Sequence, residues 1–163
     1  MKLLAILICS LLSVSVLAGT TKPIKVYVNC TSKNGSIIAR ELRRGSAVIG
    51  KTSYYTIKSC IREGTSGTTM ANNKPYVESA MTCALPFHPP IKANRRQWGK
   101  EYKVTNLGTG QTVLVSHQDY GPGTKALADG VVIDLTPAAF KKLCPLRLGH
   151  VKVIVEQINE REK

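Results

Sequence analysis

Apolar and polar positions alternate along several stretches of this chain, and that alternation sets out its elements. Val113, Val115 and His117 alternate with Leu114, Ser116 and Gln118, which predicts a strand with one mainly apolar face. Asp119-Tyr120-Gly121-Pro122-Gly123 then breaks it, because glycine permits positive φ and proline has no donor for a ladder. Val131-Val132-Ile133 resumes an extended, β-branched run that Asp134-Leu135 closes. Thr136-Pro137 reads as an N-cap followed by proline at the first helical position, and Lys141 and Lys142 suit that helix's negative end. Ile24 to Val28, Tyr102 to Asn106 and Val151 to Val155 read as further strands, and Thr52, Tyr54, Thr56 and Ile57 favour a pleated conformation. Asn34-Gly35 is a turn signal. Ser36 to Arg44 fits either a return strand or a short basic helix capped by Ser36, and the helix is the preferred reading. Ile61 to Thr69 is rich in Gly, Ser and Thr and reads as a surface loop. Phe87 to Gln97 reads as a protruding basic loop.

Both central strands finish at an aspartate beside a break, and two strand-end carboxylates brought together by a loop can transfer protons. The ordered series Gln118-Asp119-Tyr120-Gly121-Pro122 and Gly130-Val131-Val132-Ile133-Asp134-Leu135-Thr136, followed by Pro137-Ala138-Ala139-Phe140, resembles the core of the RlpA-like (rare lipoprotein A-like) double-psi β-barrels. That family runs N-D-x-G-P, loop, G-x-V-I-D-L-S, then an alanine-rich helix. Gly50 to Tyr55 resembles its opening G-x-A-S-x-Y, Met70 to Tyr76 its T-A-x-G-E-x-[FY], and Ala80 to Pro86 its A-[LM]-T-A-A-H. The resemblance covers residues 47 to 156. It implies a mainly β fold, a six-stranded double-psi β-barrel with short helices over 47–157. An N-terminal extension at 19–46 would precede the barrel, and a frayed tail at 158–163 would follow it.

Residues 2–18 stand apart from that fold. Lys2, the apolar run from Leu3 to Leu12 and Val16-Leu17-Ala18 form a charged start, an apolar middle and a small-residue cleavage site, the pattern of a signal peptide over 1–18. The run is too short to span a bilayer, and Ile8 ahead of Cys9 fits a lipoprotein signal poorly. The chain is therefore expected to be secreted or periplasmic, meeting a membrane only during export. Of five cysteines, Cys30, Cys60, Cys83 and Cys144 lie beyond that segment, and in an exported chain they point to two disulfides of undetermined pairing. Their spacing holds no Cys-x-x-Cys pair, so no metal site is expected. Asn29-Cys30-Thr31 and Asn34-Gly35-Ser36 are glycosylation patterns in a host that glycosylates. The formal net charge of +13, from 23 Lys and Arg against 10 Asp and Glu, favours a polyanionic partner. Export and the absence of a recognisable module argue against nucleic acid.

The RlpA-like resemblance implies a groove for peptidoglycan or another wall polysaccharide, bound by a monomer without cofactor. Asp119 and Asp134 match the family's two strand-end aspartates. Asp134, on the D-L element that expansins also carry, is the expected proton donor, and Asp119 would hold the second charge and raise its neighbour's pKa. Substrate contacts are expected from Tyr54, Asn73, Lys74, Tyr76, Thr82 and Tyr120. Trp98, beside Arg95 and Arg96, could stack on a sugar or plug the barrel. Lys74, Val77 and Leu85 depart from the family's glutamate, aspartate and histidine, and Lys74 beside Asp119 would depress that carboxyl's pKa. Those departures leave two readings. One is a lytic transglycosylase-like enzyme; the other is an expansin-like or inhibitory binding module without turnover.

Overall fold

The computed structural model describes residues 47–87, 91 and 97–158 in full, and the backbone of residues 25–28, 30–31, 37–38 and 46. In chain order the strands are β1 (Lys25–Val28), β2 (Cys30–Thr31), β3 (Ile37–Ile38), β4 (Ser46–Tyr54), β5 (Thr82–Leu85), β6 (Glu101–Asn106), β7 (Thr112–Tyr120), β8 (Val131–Leu135) and β9 (Val151–Gln157). The helices are α1 (Ile57–Arg62), α2 (Thr124–Ala128) and α3 (Pro137–Leu143).

The barrel is built on β4, which pairs antiparallel with β9 and parallel with β8. From β8 the sheet continues through β5, β7 and β6 to β9, which closes six strands into a ring. Two of the six contacts, β4 with β8 and β5 with β7, are parallel, so each needs a crossover rather than a hairpin. β1 lies parallel to the first half of β4, from Lys25 beside Ser46 to Val28 beside Ile49, so the N-terminal extension adds a strand to the same sheet.

Alternation fills the interior. Val113, Val115 and His117 of β7 are buried while Thr112 and Leu114 are exposed, and Val153 and Val155 of β9 face the same core. They meet Val48, Leu85, Tyr102, Val104, Ile133 and Leu135, with Phe140 and Leu143 of α3 packed against them. Burying each such side chain contributes about 1.5–3 kcal/mol. Gly50 is required by this packing. A Cβ there would lie 2.5 Å from Val132 Cγ1, where β8 shifts register against β4 between Lys51 and Thr52.

Four features differ from the sequence reading. Ile37–Ile38 is a return strand, antiparallel to Cys30–Thr31, because a hairpin follows from Asn34-Gly35 more directly than a helix does. Ile57 leaves the extended state to begin α1, while Thr56 stays extended as its N-cap. Thr56 caps α1, its hydroxyl accepting from Ser59 N while Ser59 Oγ accepts from Thr56 N. α2 occupies part of what read as a loop between the two central strands. Finally, Cys60, Cys83 and Cys144 are free thiols rather than disulfide partners. The reason is packing: Cys83 and Cys144 are buried in the apolar core, where they serve as small hydrophobes. Residues 1–18, most of the Phe87–Gln97 loop with His88, Arg95 and Arg96, and the tail beyond Ile158 lie outside the described residues. Ile91, within that loop, is fully buried in the core.

Candidate active site

Strand register brings the two aspartates together. β5 runs between β7 and β8, and its Ala84 is the direct partner of Asp119 on one side and of Asp134 on the other. The two carboxylates therefore flank one small residue, two strand spacings of about 4.8 Å apart at the backbone. Both line a pocket of about 170 Å³ whose wall includes Tyr55, Cys60, Glu63, Tyr76 and Tyr120.

Asp134 is partly buried and lines the pocket. β4–β8 pairing sets Ser53 directly opposite it, and Ser53 Oγ donates to Asp134 Oδ1. The backbone covers it closely: a Cβ on Gly121 would come within 3.2 Å of Oδ2. Burial pushes the Asp134 pKa up to about 6, and the charges of Glu63 and Asp119 push the same way against the Ser53 hydroxyl. A carboxyl group so placed is partly protonated near neutrality and can release a proton to a leaving group.

Asp119 is held differently. Its Oδ1 accepts from the backbone amides of Ala71 and Tyr120, each at 2.9 Å, which ties the 65–76 segment to the end of β7. Burial raises its pKa; those two amides and the nearby Tyr55 hydroxyl oppose the rise. The Tyr55 hydroxyl is buried, makes no hydrogen bond within ordinary geometry, and lies near enough to favour the Asp119 charge.

One flank of the pocket is aromatic. Phe87, 55% exposed, lies over Tyr120 with ring centroids 3.7 Å apart, and Trp98 meets Tyr120 at 4.7 Å and His117 at 4.6 Å. Trp98 thus belongs to an aromatic row with Phe87 and Tyr120 and is half-buried against His117. His117 is fully buried beneath it. Its ring nitrogens face two carbonyls, Gln97 O at 3.2 Å and Asp119 O at 3.0 Å. Burial lowers its pKa, so the ring is neutral and can donate to only one of them.

Other expected site residues fall elsewhere. Lys74 is exposed, and among the described residues it makes no ion pair with Asp119, whose pKa is raised, not depressed. The segment from Met70 to Lys74 folds back as a turn, Met70 N donating to Lys74 O, which carries the lysine away. Asn73 sits in that turn with φ 66°. Tyr76 lines the pocket, but its hydroxyl is committed to Tyr55 O at 2.6 Å. Tyr54 packs on Phe140, with centroids 5.0 Å apart. The Thr82 hydroxyl is buried without a partner, outside the pocket lining. Val77 is exposed, while Leu85 is in the core, facing away from Ala84's side of β5. Glu78 caps α1, its Oε1 accepting from Ile57 N at 2.9 Å.

Sequence reasoning missed Tyr55, Cys60 and Glu63 as pocket residues, and Ser53 as the partner of Asp134. Ser53 stood inside the quoted opening motif, and its position opposite Asp134 depends on strand register. Cys60 and Glu63 arrive on α1 and its C-cap, a helix that the β-branched Thr56-Ile57 pair obscured. Among the described residues no cluster of His, Cys, Asp and Glu could hold a metal, and no helix is long and apolar enough to cross a membrane.

No family model and no curated protein matches this chain. Solved structures do. The Streptomyces papain inhibitor superposes with a TM-score of 0.53 and 26% identity over 73% of this chain and 100% of its own. The apo form of Clavibacter michiganensis expansin gives 0.50 and 20% over 70% of this chain, and a mutant of it in complex with cellohexaose gives 0.50 and 19%. This chain spans about half the expansin's length, 51% in both structures. Both neighbours are double-psi β-barrels. The present chain has that fold, and the RlpA-like resemblance fits it.

Proposed function

We propose that this protein is exported and acts on a wall polysaccharide, which it binds as a monomer across the Asp119–Asp134 pocket, with Asp134 as proton donor. The observation that carries the reading is the Asp134 carboxyl, held by Ser53 at the pocket floor with a pKa of about 6. In the proposed lytic cleavage, Asp134 gives its proton to the glycosidic oxygen and the C–O bond to the leaving sugar breaks. The Asp119 carboxylate steadies the oxocarbenium ion, the substrate's own hydroxyl closes onto the anomeric carbon, and Asp134 takes back that hydroxyl's proton. No water is consumed, and an anhydro-sugar end results. The Phe87–Tyr120–Trp98 row offers a stacking face for sugar rings, and Glu63 supplies a carboxylate at the mouth where Lys74 and Val77 supply none. The expansin mutant's complex with cellohexaose supports a polysaccharide ligand on this fold.

The test is chromatography of soluble products after incubation with sacculi. Anhydro-sugar ends released by the wild type and not by Asp134→Asn support the proposal. No product, with retention on sacculi intact, points to binding without turnover.

A second reading has its own observation: the papain inhibitor's whole length aligns to this barrel. In that reading the chain is a non-catalytic barrel that blocks a protease. Inhibition of papain by stoichiometric amounts of this protein, unchanged by Asp134→Asn, would favour it.

A further inference from the structure

A second and larger cavity, about 430 Å³, lies at the opposite end of β8 from Asp134. None of its lining residues belongs to the acidic pocket, and its character is the reverse. Lys51, Lys152 and His150 line it, with Asp129 the one acid among them and Val131 at its wall. Lys51 and Lys152 are direct partners across the antiparallel β4–β9 pair. Like charges set opposite each other in a sheet repel and destabilise it. On the neighbouring β6–β9 pair the chain avoids this: Lys103 of β6 stands opposite Glu156 of β9 and pairs with it at 3.6 Å. Among the described residues neither Lys51 nor Lys152 has such a carboxylate partner. The Lys51 ammonium is instead held at the cavity by donating to the backbone oxygen of Asp129 at 3.0 Å. An ammonium has three protons, so that one bond orients it and leaves donors for a ligand.

We infer that this cavity binds a compact anionic group, a phosphate or a carboxylate, between Lys51 and Lys152. An anion placed there turns the repulsion between the two lysines into a pair of charge-assisted hydrogen bonds. Asp129 sets a limit on the charge the site accepts. The inference stands on the β4–β9 register and the cavity, and is independent of any role for Asp134.

The experiment is an NMR titration of the full protein at low salt with inorganic phosphate and, separately, with acetate. Saturable shifts centred on the amides of Lys51, Gly130, Val131 and Lys152 are expected, and the tighter of the two probes identifies the group. The K51Q/K152Q variant should weaken binding at least about tenfold. K141Q/K142Q, which removes the same charge from α3, should leave it unchanged, and Asp129→Asn should tighten it. Shifts spread over the basic surface, or equal loss in the two double variants, would overturn the site. Phosphatidylglycerol vesicles that sediment the wild type and not K51Q/K152Q would assign the same anion chemistry to a lipid headgroup. Failure there with phosphate binding intact would assign it to a soluble or polymer-borne group.

Discussion

At the scale of single residues, Asp134 pits stability against chemistry. Its folded pKa of about 6 exceeds the unfolded value of about 3.9, so between those pH values the folded chain holds a proton that the unfolded chain has lost. The stability this group contributes is therefore full below about pH 4 and is lost as pH rises through 6, a difference of about 2–3 kcal/mol. Asp134→Asn removes the charge and keeps an acceptor for Ser53. The variant should melt above the wild type at pH 7.5 and level with it at pH 4; an equal offset at both pH values would refute the linkage. Ser53→Ala removes the one hydrogen bond that favours the charged form, so it should move the basic limb of any pH–rate profile upward. A profile unmoved by that change would mean Asp134 is not the donor. Both aspartates were legible in the sequence because each stands at the end of an extended run beside a break, Gly121-Pro122-Gly123 after Asp119 and Thr136-Pro137 after Asp134. Ser53 was not, since nothing local reveals which residue of β4 stands opposite Asp134.

At the scale of elements, long alternating strands were easier to read than short helices. β7 and β9 place Val113, Val115, Val153 and Val155 inward as their pattern requires. α1 has six residues and buries none of them; Ile57, Cys60 and Ile61 fall at helical spacing, but over too few turns to separate from the β-branched run before them. Its signal is instead the cap: Thr56 with Ser59, and Glu78 from a distant segment holding the amide of Ile57. Such a helix is held by its first turn. Thr56→Ala should cost about 1 kcal/mol and raise amide exchange across α1, which carries Cys60 and Glu63 into the pocket. Unchanged exchange at Cys60 would show that contacts other than the cap hold the helix. The Lys74 misplacement has a similar origin. Motif order set it beside Asp119, but a turn with Asn73 in the left-handed region reversed the chain.

At the scale of the whole molecule, cysteine number alone gave the wrong chemistry. Among the described residues Cys83 and Cys144 pack in the continuous apolar core of a closed barrel, and Cys60 stands in the pocket wall. Alkylation of the denatured, unreduced protein should label Cys60, Cys83 and Cys144. In the native state Cys83 should resist, being fully buried with its pKa pushed up by that burial. Failure of all three to react after denaturation would place them in disulfides. The ring itself has a further consequence, for time rather than stability. β4 begins at Ser46, but its partners β8 and β9 begin at Val131 and Val151, so the contacts that close the barrel span most of the sequence. Such distant contacts must overcome loop-closure entropy before they stabilise anything, which slows folding toward the millisecond-to-second range. During synthesis β1 can meet β4 and β6 can meet β7 early, but the ring cannot close until β9 has emerged from the ribosome. Any step that needs the chain unfolded, such as threading through a membrane pore, has that whole interval in which to begin.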